Sequence, residues 1–126
     1  MKKLIALFSV IALFATTSVY AQKAEKEAIE AYYFHYTSRC VTCQSVEKVS
    51  SDALKELSGG KIVLKSINLD DKSNKELAKK LKIDGQTLLV VKGVKKVDIT
   101  NDGFLYATTS PEKLKAKLKT AVESLK

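Results

Sequence analysis

Cys40-Val41-Thr42-Cys43 holds the only two cysteines of the chain. It stands between an aromatic run, Ala31-Tyr32-Tyr33-Phe34-His35-Tyr36, and the start of a helical pattern. A strand that runs straight into two thiols at a helix start must pack beside that helix, with the thiols at their junction. Two thiols three residues apart can close a small disulfide ring, open it again, or hold a soft metal ion.

Residues 1–21 read as a signal peptide. Lys2 and Lys3 form a positive start, and Leu4 to Ala15 is an apolar run broken only by Ser9. Val19-Tyr20-Ala21 then offers small residues at the −3 and −1 positions before Gln22. The run is shorter than the roughly 20 residues of a membrane span. No other stretch is apolar enough to cross, so no membrane insertion is expected once the signal is removed. No cysteine lies near the cleavage site, which argues against a lipoprotein. Export, periplasmic or secreted, would place the thiols in an oxidising compartment. Of the 105 residues left from 126, 22–28 read as a short polar segment and 29–126 as one domain. A monomer is expected.

Without Lys2 and Lys3, 20 of the 22 basic residues remain against 14 acidic ones, a net charge of +6. Arg39, directly before Cys40, is the only arginine. Nucleic-acid sites favour arginine with interleaved aromatics. These lysine faces lack both, so no nucleic-acid partner is expected.

Ala31 to Tyr36 reads as a strand buried on both faces. Cys40 to about Leu57 reads as a helix with Val46, Val49, Ala53, Leu54 and Leu57 on one face, ended by Ser58-Gly59-Gly60. Lys61 to Leu69 is the next strand. Lys72 to Lys82 is a second helix with Leu77, Ala78 and Leu81 inward. Thr87 to Val91 is a buried strand, and Lys95 to Thr100 its hairpin partner at a lysine-guarded edge. Asn101-Asp102-Gly103 reads as a turn, with Phe104 and Tyr106 in an irregular stretch after it. Ser110 and Pro111 open a last helix with Leu114, Leu118, Ala121, Val122 and Leu125 buried. The order βαβαββα predicts an α/β fold: a mixed four-stranded sheet with helices on both faces.

The helical spacing makes the thiols unequal, with Cys40 at the rim and Cys43 shielded. Cys40 would be the nucleophile and Cys43 the resolving thiol. The helix dipole favours an anion at Cys40 by about 0.3–1 kcal/mol. Arg39 adds attraction, and His35, the only histidine, adds more if protonated. His35 also fits a hydrogen-bonded strand-end side chain. Tyr36, next to the loop, is a candidate partner surface. A purely structural bond in so small a loop would remove little unfolded-state entropy. The same two sulfurs also suit Cu(I) or As(III). Structural zinc wants four ligands, more than two sulfurs and His35 supply. No cofactor beyond a Cys40–Cys43 redox disulfide is called for. Neither a catalytic triad, a phosphate loop nor a dinucleotide fingerprint is present, so nothing marks a flavin site.

The strand–Cys-x-x-Cys–helix junction, INLDD (Ile67 to Asp71) and TLLVVKG (Thr87 to Gly93) resemble the thioredoxin fold. YYFHYTSRCVTCQSVE (Tyr32 to Glu47) and DGFLYATTSP (Asp102 to Pro111) are more closely similar to the ArsF family. These are small exported thioredoxin-like proteins also labelled a nitrophenyl-compound nitroreductase subunit. The resemblance implies an association with arsenic operons and an accessory electron carrier rather than a reductase. It differs from the thioredoxin pattern at three places. Arg39 replaces a tryptophan, Val41-Thr42 replaces Gly-Pro, and Gln86 stands where a cis-proline faces the disulfide. A cis bond before a non-proline residue costs about 2.5–4 kcal/mol, so a trans Gly85–Gln86 bond is expected. The resemblance also sets Gln86 and Thr87 beside the cysteines as a substrate or partner surface. In that family the cis-proline keeps metals away, so its loss favours the soft-ion alternative. Three functions follow: a thiol–disulfide oxidoreductase serving a protein or small-thiol partner, a soft-metal or metalloid binder through Cys40 and Cys43, or a redox-silent partner-binding subunit.

Overall fold

The run from Glu30 to His35 forms β1, the centre of the molecule in a computed structural model that describes residues 27–126. The expected signal peptide and residues 22–26 of the polar segment 22–28 lie outside the described residues. β1 is buried on both faces because its side chains alternate between two apolar layers. Ala31 and Tyr33 join one core cluster; Tyr32 and Phe34 join another with Leu89 and Val91.

From Val41 to Ser58 the chain forms α1, which closes at Gly59 in the left-handed conformation (φ 63°) that glycine adopts without strain. Val46, Ala53 and Leu54 are buried, with Val49 and Leu57 packed on the same cluster. β2 is Leu64–Asn68, shorter than the expected 61–69. Its approach is fixed by Ile62, whose N–H donates to the Ser58 hydroxyl at 2.8 Å. The expected helix over 72–82 starts as a 3-10 turn, Lys72–Asn74, capped by Asp71. It continues as α2, Lys75–Lys80, with Leu77, Ala78 and Leu81 against the second cluster. β3 is Thr87–Lys92 and β4 is Lys95–Asp98.

The sheet runs β2-β1-β3-β4, with β1 and β2 parallel and the other pairs antiparallel. This is the mixed four-stranded α/β sheet expected. Exposed Lys95 and Lys96 guard the β4 edge.

One element was not expected. Thr100–Tyr106 forms a helix, α3, where a turn and an irregular stretch are predicted from Asn101-Asp102-Gly103. The order becomes βαβαββαα. Gly103 serves packing, not a turn. A Cβ there would meet Leu88 Cδ2 at 3.2 Å and Val46 Cγ1 at 3.3 Å. The helix backbone thus lies directly on β3 and α1. Phe104 and Tyr106 pack against the first cluster. We expect Gly103→Val to lower stability by about 2 kcal/mol through overpacking, read from the urea midpoint; an unchanged midpoint would refute this account of α3.

The last helix, α4, is Pro111–Ser124, with Pro111 in its first turn. Ser110 occupies the cap position without a capping side-chain hydrogen bond. Leu114, Leu118, Ala121, Val122 and Leu125 are all buried, as the spacing predicts.

Candidate active site

The β1 strand delivers the chain to Tyr36-Thr37-Ser38-Arg39, a loop held by the segment after β2. The Leu69 N–H donates to the His35 carbonyl at 2.7 Å, and the Thr37 N–H to Asp70 Oδ2 at 2.8 Å. Asn68 Nδ2 donates to Thr37 Oγ1 at 3.0 Å. Hydrogen bonds from the Thr37 N–H and the Thr37 side chain hold the Asp70 carboxyl below its usual range. The loop therefore enters α1 in a fixed pose.

Cys40 is the N-cap of α1. Its Sγ accepts the Cys43 N–H at 3.1 Å, the bond that serine or aspartate oxygen makes at most caps. Cys40 and Cys43 form a disulfide with Cα atoms 5.0 Å apart. Cys40 is exposed while Cys43 is 4% exposed, as the helical spacing predicts. On reduction, a Cys40 thiolate would keep the N–H bond as a charge-assisted one. Val41, next in the chain, adds exposed apolar surface beside it at 79% exposed, and Tyr36, four residues before Cys40, is 38% exposed.

Gln86 lies across from the buried sulfur, with Oε1 3.6 Å from Cys43 Sγ. Its peptide bond is trans, since the described residues contain no cis bond. Thr87 is buried, and its hydroxyl donates to the Gly85 carbonyl at 2.8 Å. The Tyr36 hydroxyl lies over Gly85. Tyr36, Ile83 and Asp84 line an open groove of about 440 Å³ alongside.

Arg39 is turned to a carboxylate. Its guanidinium pairs with Glu47 and lies 6.0 Å from the Tyr33 ring centroid. Its Nε is buried with no partner. Burial pushes the Glu47 carboxyl up, but hydrogen bonds from Arg39 and Ser66, with the Arg39 charge, outweigh it and hold the carboxyl below its usual 4.5. The Tyr33 hydroxyl beneath is pushed up, chiefly by burial.

His35 is 8% exposed, and both ring nitrogens are engaged. Nδ1 lies 2.9 Å from the Tyr36 carbonyl and Nε2 2.7 Å from Ser66 Oγ. A carbonyl only accepts, so Nδ1 carries the proton, while Nε2 lies against the Ser66 hydroxyl. His35 is thus a hydrogen-bonded strand-end side chain.

No role for Glu47 or Ser66 is expected from the sequence. Glu47 had a signal: it lies seven residues after Cys40, two helical turns along the same face. Ser66 had none, because only strand pairing brings β2 beside β1. Among the described residues, no group of three or more His, Cys, Asp or Glu side chains that would hold a metal ion is found. No described helix is long and apolar enough to cross a membrane.

No family model and no curated protein matches the chain. A solved structure described as "Structure of a malarial protein" is similar at 22% identity, with a TM-score of 0.48. The match covers 75% of this chain and 98% of that one. At that score it carries no argument about fold or function.

Proposed function

We propose that this chain is an exported, thioredoxin-like thiol–disulfide oxidoreductase that acts as an accessory electron carrier. The observation that carries the reading is the inequality of the two sulfurs. One is exposed at a helix N-cap with an N–H aimed at it; the other is buried behind it and bonded to it. A nucleophilic thiol needs access and thiolate stabilisation, and Cys40 has both. The β2-β1-β3-β4 order and the strand–Cys-x-x-Cys–helix junction support the thioredoxin-like assignment.

In the reducing direction, a Cys40 thiolate attacks a partner disulfide. A bond forms between Cys40 and one partner sulfur, and the other leaves as a thiolate. Cys43 then loses its proton and attacks Cys40 Sγ, releasing the second partner thiolate. The partner gains two electrons and the cysteine pair loses them. The reverse sequence oxidises a dithiol. Arg39 would tune the first thiolate, and Glu47 would limit how much of its charge Cys40 feels. The exposed Val41 and Tyr36 with the adjoining groove would receive a protein or small-thiol partner. The resemblance to ArsF proteins supports a place beside arsenic chemistry, and the first 21 residues support export.

Exchange with glutathione disulfide tests this reading. The reduced protein should consume the probe and end with the Cys40–Cys43 bond closed. A reduced pair that leaves glutathione disulfide untouched would count against it.

A further inference from the structure

The resolving step poses a problem that Cys40 does not share. Cys43 is 4% exposed, enough for its proton to pass to water but too little for water to solvate well the anion it must become to attack. A buried thiolate needs a donor supplied by the protein. The Gln86 side chain is at hand, 3.6 Å from that sulfur. In the disulfide the sulfur has no proton, so this distance is a contact poised for another state. A primary amide carries an acceptor at one end and two donors at the other, and half a turn of its terminal bond exchanges them.

We propose that the Gln86 amide is a catalytic residue of the resolving step, offering its carbonyl to the Cys43 thiol and its NH2 to the Cys43 thiolate. The inference rests on the exchange reading above and names how the buried half of the pair works.

Gln86 is suited to this by position. It is the residue before β3, and that strand is locked to the centre of the sheet through β1. Thr87, beside it, is tied back to the Gly85 carbonyl. The amide is therefore carried on a fixed backbone while its own terminal bond stays free to turn. In the first step, the Cys40 thiolate displaces one sulfur of the incoming disulfide, and that sulfur leaves as a thiolate. In the second, Cys43 S–H gives its proton to water while the amide turns its NH2 to the sulfur. Cys43 then attacks Cys40 Sγ, the bond from Cys40 to the partner breaks, and the second thiolate leaves. A charge-assisted hydrogen bond is about twice as strong as a neutral one, so the amide favours the anion over the thiol.

The two steps can be timed separately with Ellman's disulfide, which releases one coloured thiolate at each. The purified reduced protein is mixed with the probe in a stopped-flow cell over a range of pH. In Gln86→Leu the first release should keep its rate and pH profile. The second should slow about tenfold at neutral pH, as expected for loss of one hydrogen bond to a charged group. Its pH midpoint should move up by about one unit, the equivalent of that tenfold change. Gln86→Met keeps the length of the side chain, should behave the same way, and takes over the test if the leucine variant does not fold. Second phases unchanged in rate and pH midpoint would overturn the proposal, as would equal slowing of both phases. A wild type lacking a second phase would overturn it too. If the wild type shows both phases with Ellman's disulfide yet ignores glutathione disulfide, the oxidoreductase reading fails and the role of Gln86 stands.

Discussion

Cys40→Ser should abolish thiol–disulfide exchange and leave the protein folded. Cys40 is exposed, so no core contact is lost. Its structural task is to cap α1 by accepting the Cys43 N–H, and serine is among the best residues for that position. Opening so short a disulfide loop costs about 2 kcal/mol in the chain-entropy view, and the serine cap offsets part of it. The circular dichroism spectrum should match the wild type while exchange with glutathione disulfide falls to the uncatalysed rate. Cys43→Ser should fail differently. Its Cys40 still attacks, but nothing resolves the product, so the protein accumulates as a mixed disulfide with glutathione. Mass spectrometry under non-reducing conditions reads this directly. Residual exchange in Cys40→Ser, or no mixed disulfide in Cys43→Ser, would contradict the assigned roles.

Glu47→Gln should change reactivity and stability together. The carboxylate neutralises Arg39, the residue before Cys40. Without that negative charge the guanidinium acts more fully on the Cys40 thiolate, and the pH midpoint of Cys40 alkylation should fall by about half a unit to one unit. In an Arg39→Ala background the same substitution should leave the midpoint unmoved, which isolates the pair from a general effect. Stability should drop by about 1 kcal/mol, because a partly buried guanidinium whose Nε already lacks a partner loses its counter-ion. The sign of the pH dependence follows from the depressed Glu47 carboxyl. The pair stabilises the fold fully above the ordinary value of 4.5, and that contribution is lost as pH falls through the lower folded value. Urea midpoints of wild type and Glu47→Gln should therefore converge in acid. A constant gap at every pH would show that Glu47 acts through packing, not charge.

The features legible in the sequence are those set by local spacing. Helical periodicity from Cys40 gave one exposed and one shielded sulfur. The stripe from Leu114 to Leu125 marked the buried face of α4, and the lysines at 95 and 96 marked a sheet edge. What stayed hidden depends on contacts between distant segments. Asn101-Asp102-Gly103 carries turn residues, yet the glycine is there so that α3 can press on Leu88 and Val46. The cluster beside the cysteines needs the parallel pairing of β1 with β2, which sets Tyr33 opposite Ser66. Only then does Ser66 reach His35, and with Glu47 and Arg39 it forms one polar group. Read along the chain, Arg39 is a lone cation beside a thiol; in the fold it has a counter-ion eight residues away.

The central claim is that the Cys40–Cys43 bond opens and closes as part of the protein's work. A redox titration of the purified, metal-free protein tests it, with the thiols alkylated at each potential and counted by mass spectrometry. One two-electron transition is expected between about −120 and −270 mV, the span of known exchange proteins. Its position would also give the direction of electron flow. A pair that stays reduced across that span, and resists alkylation only when copper or arsenite is added, would contradict the account and make the two sulfurs a soft-ion site.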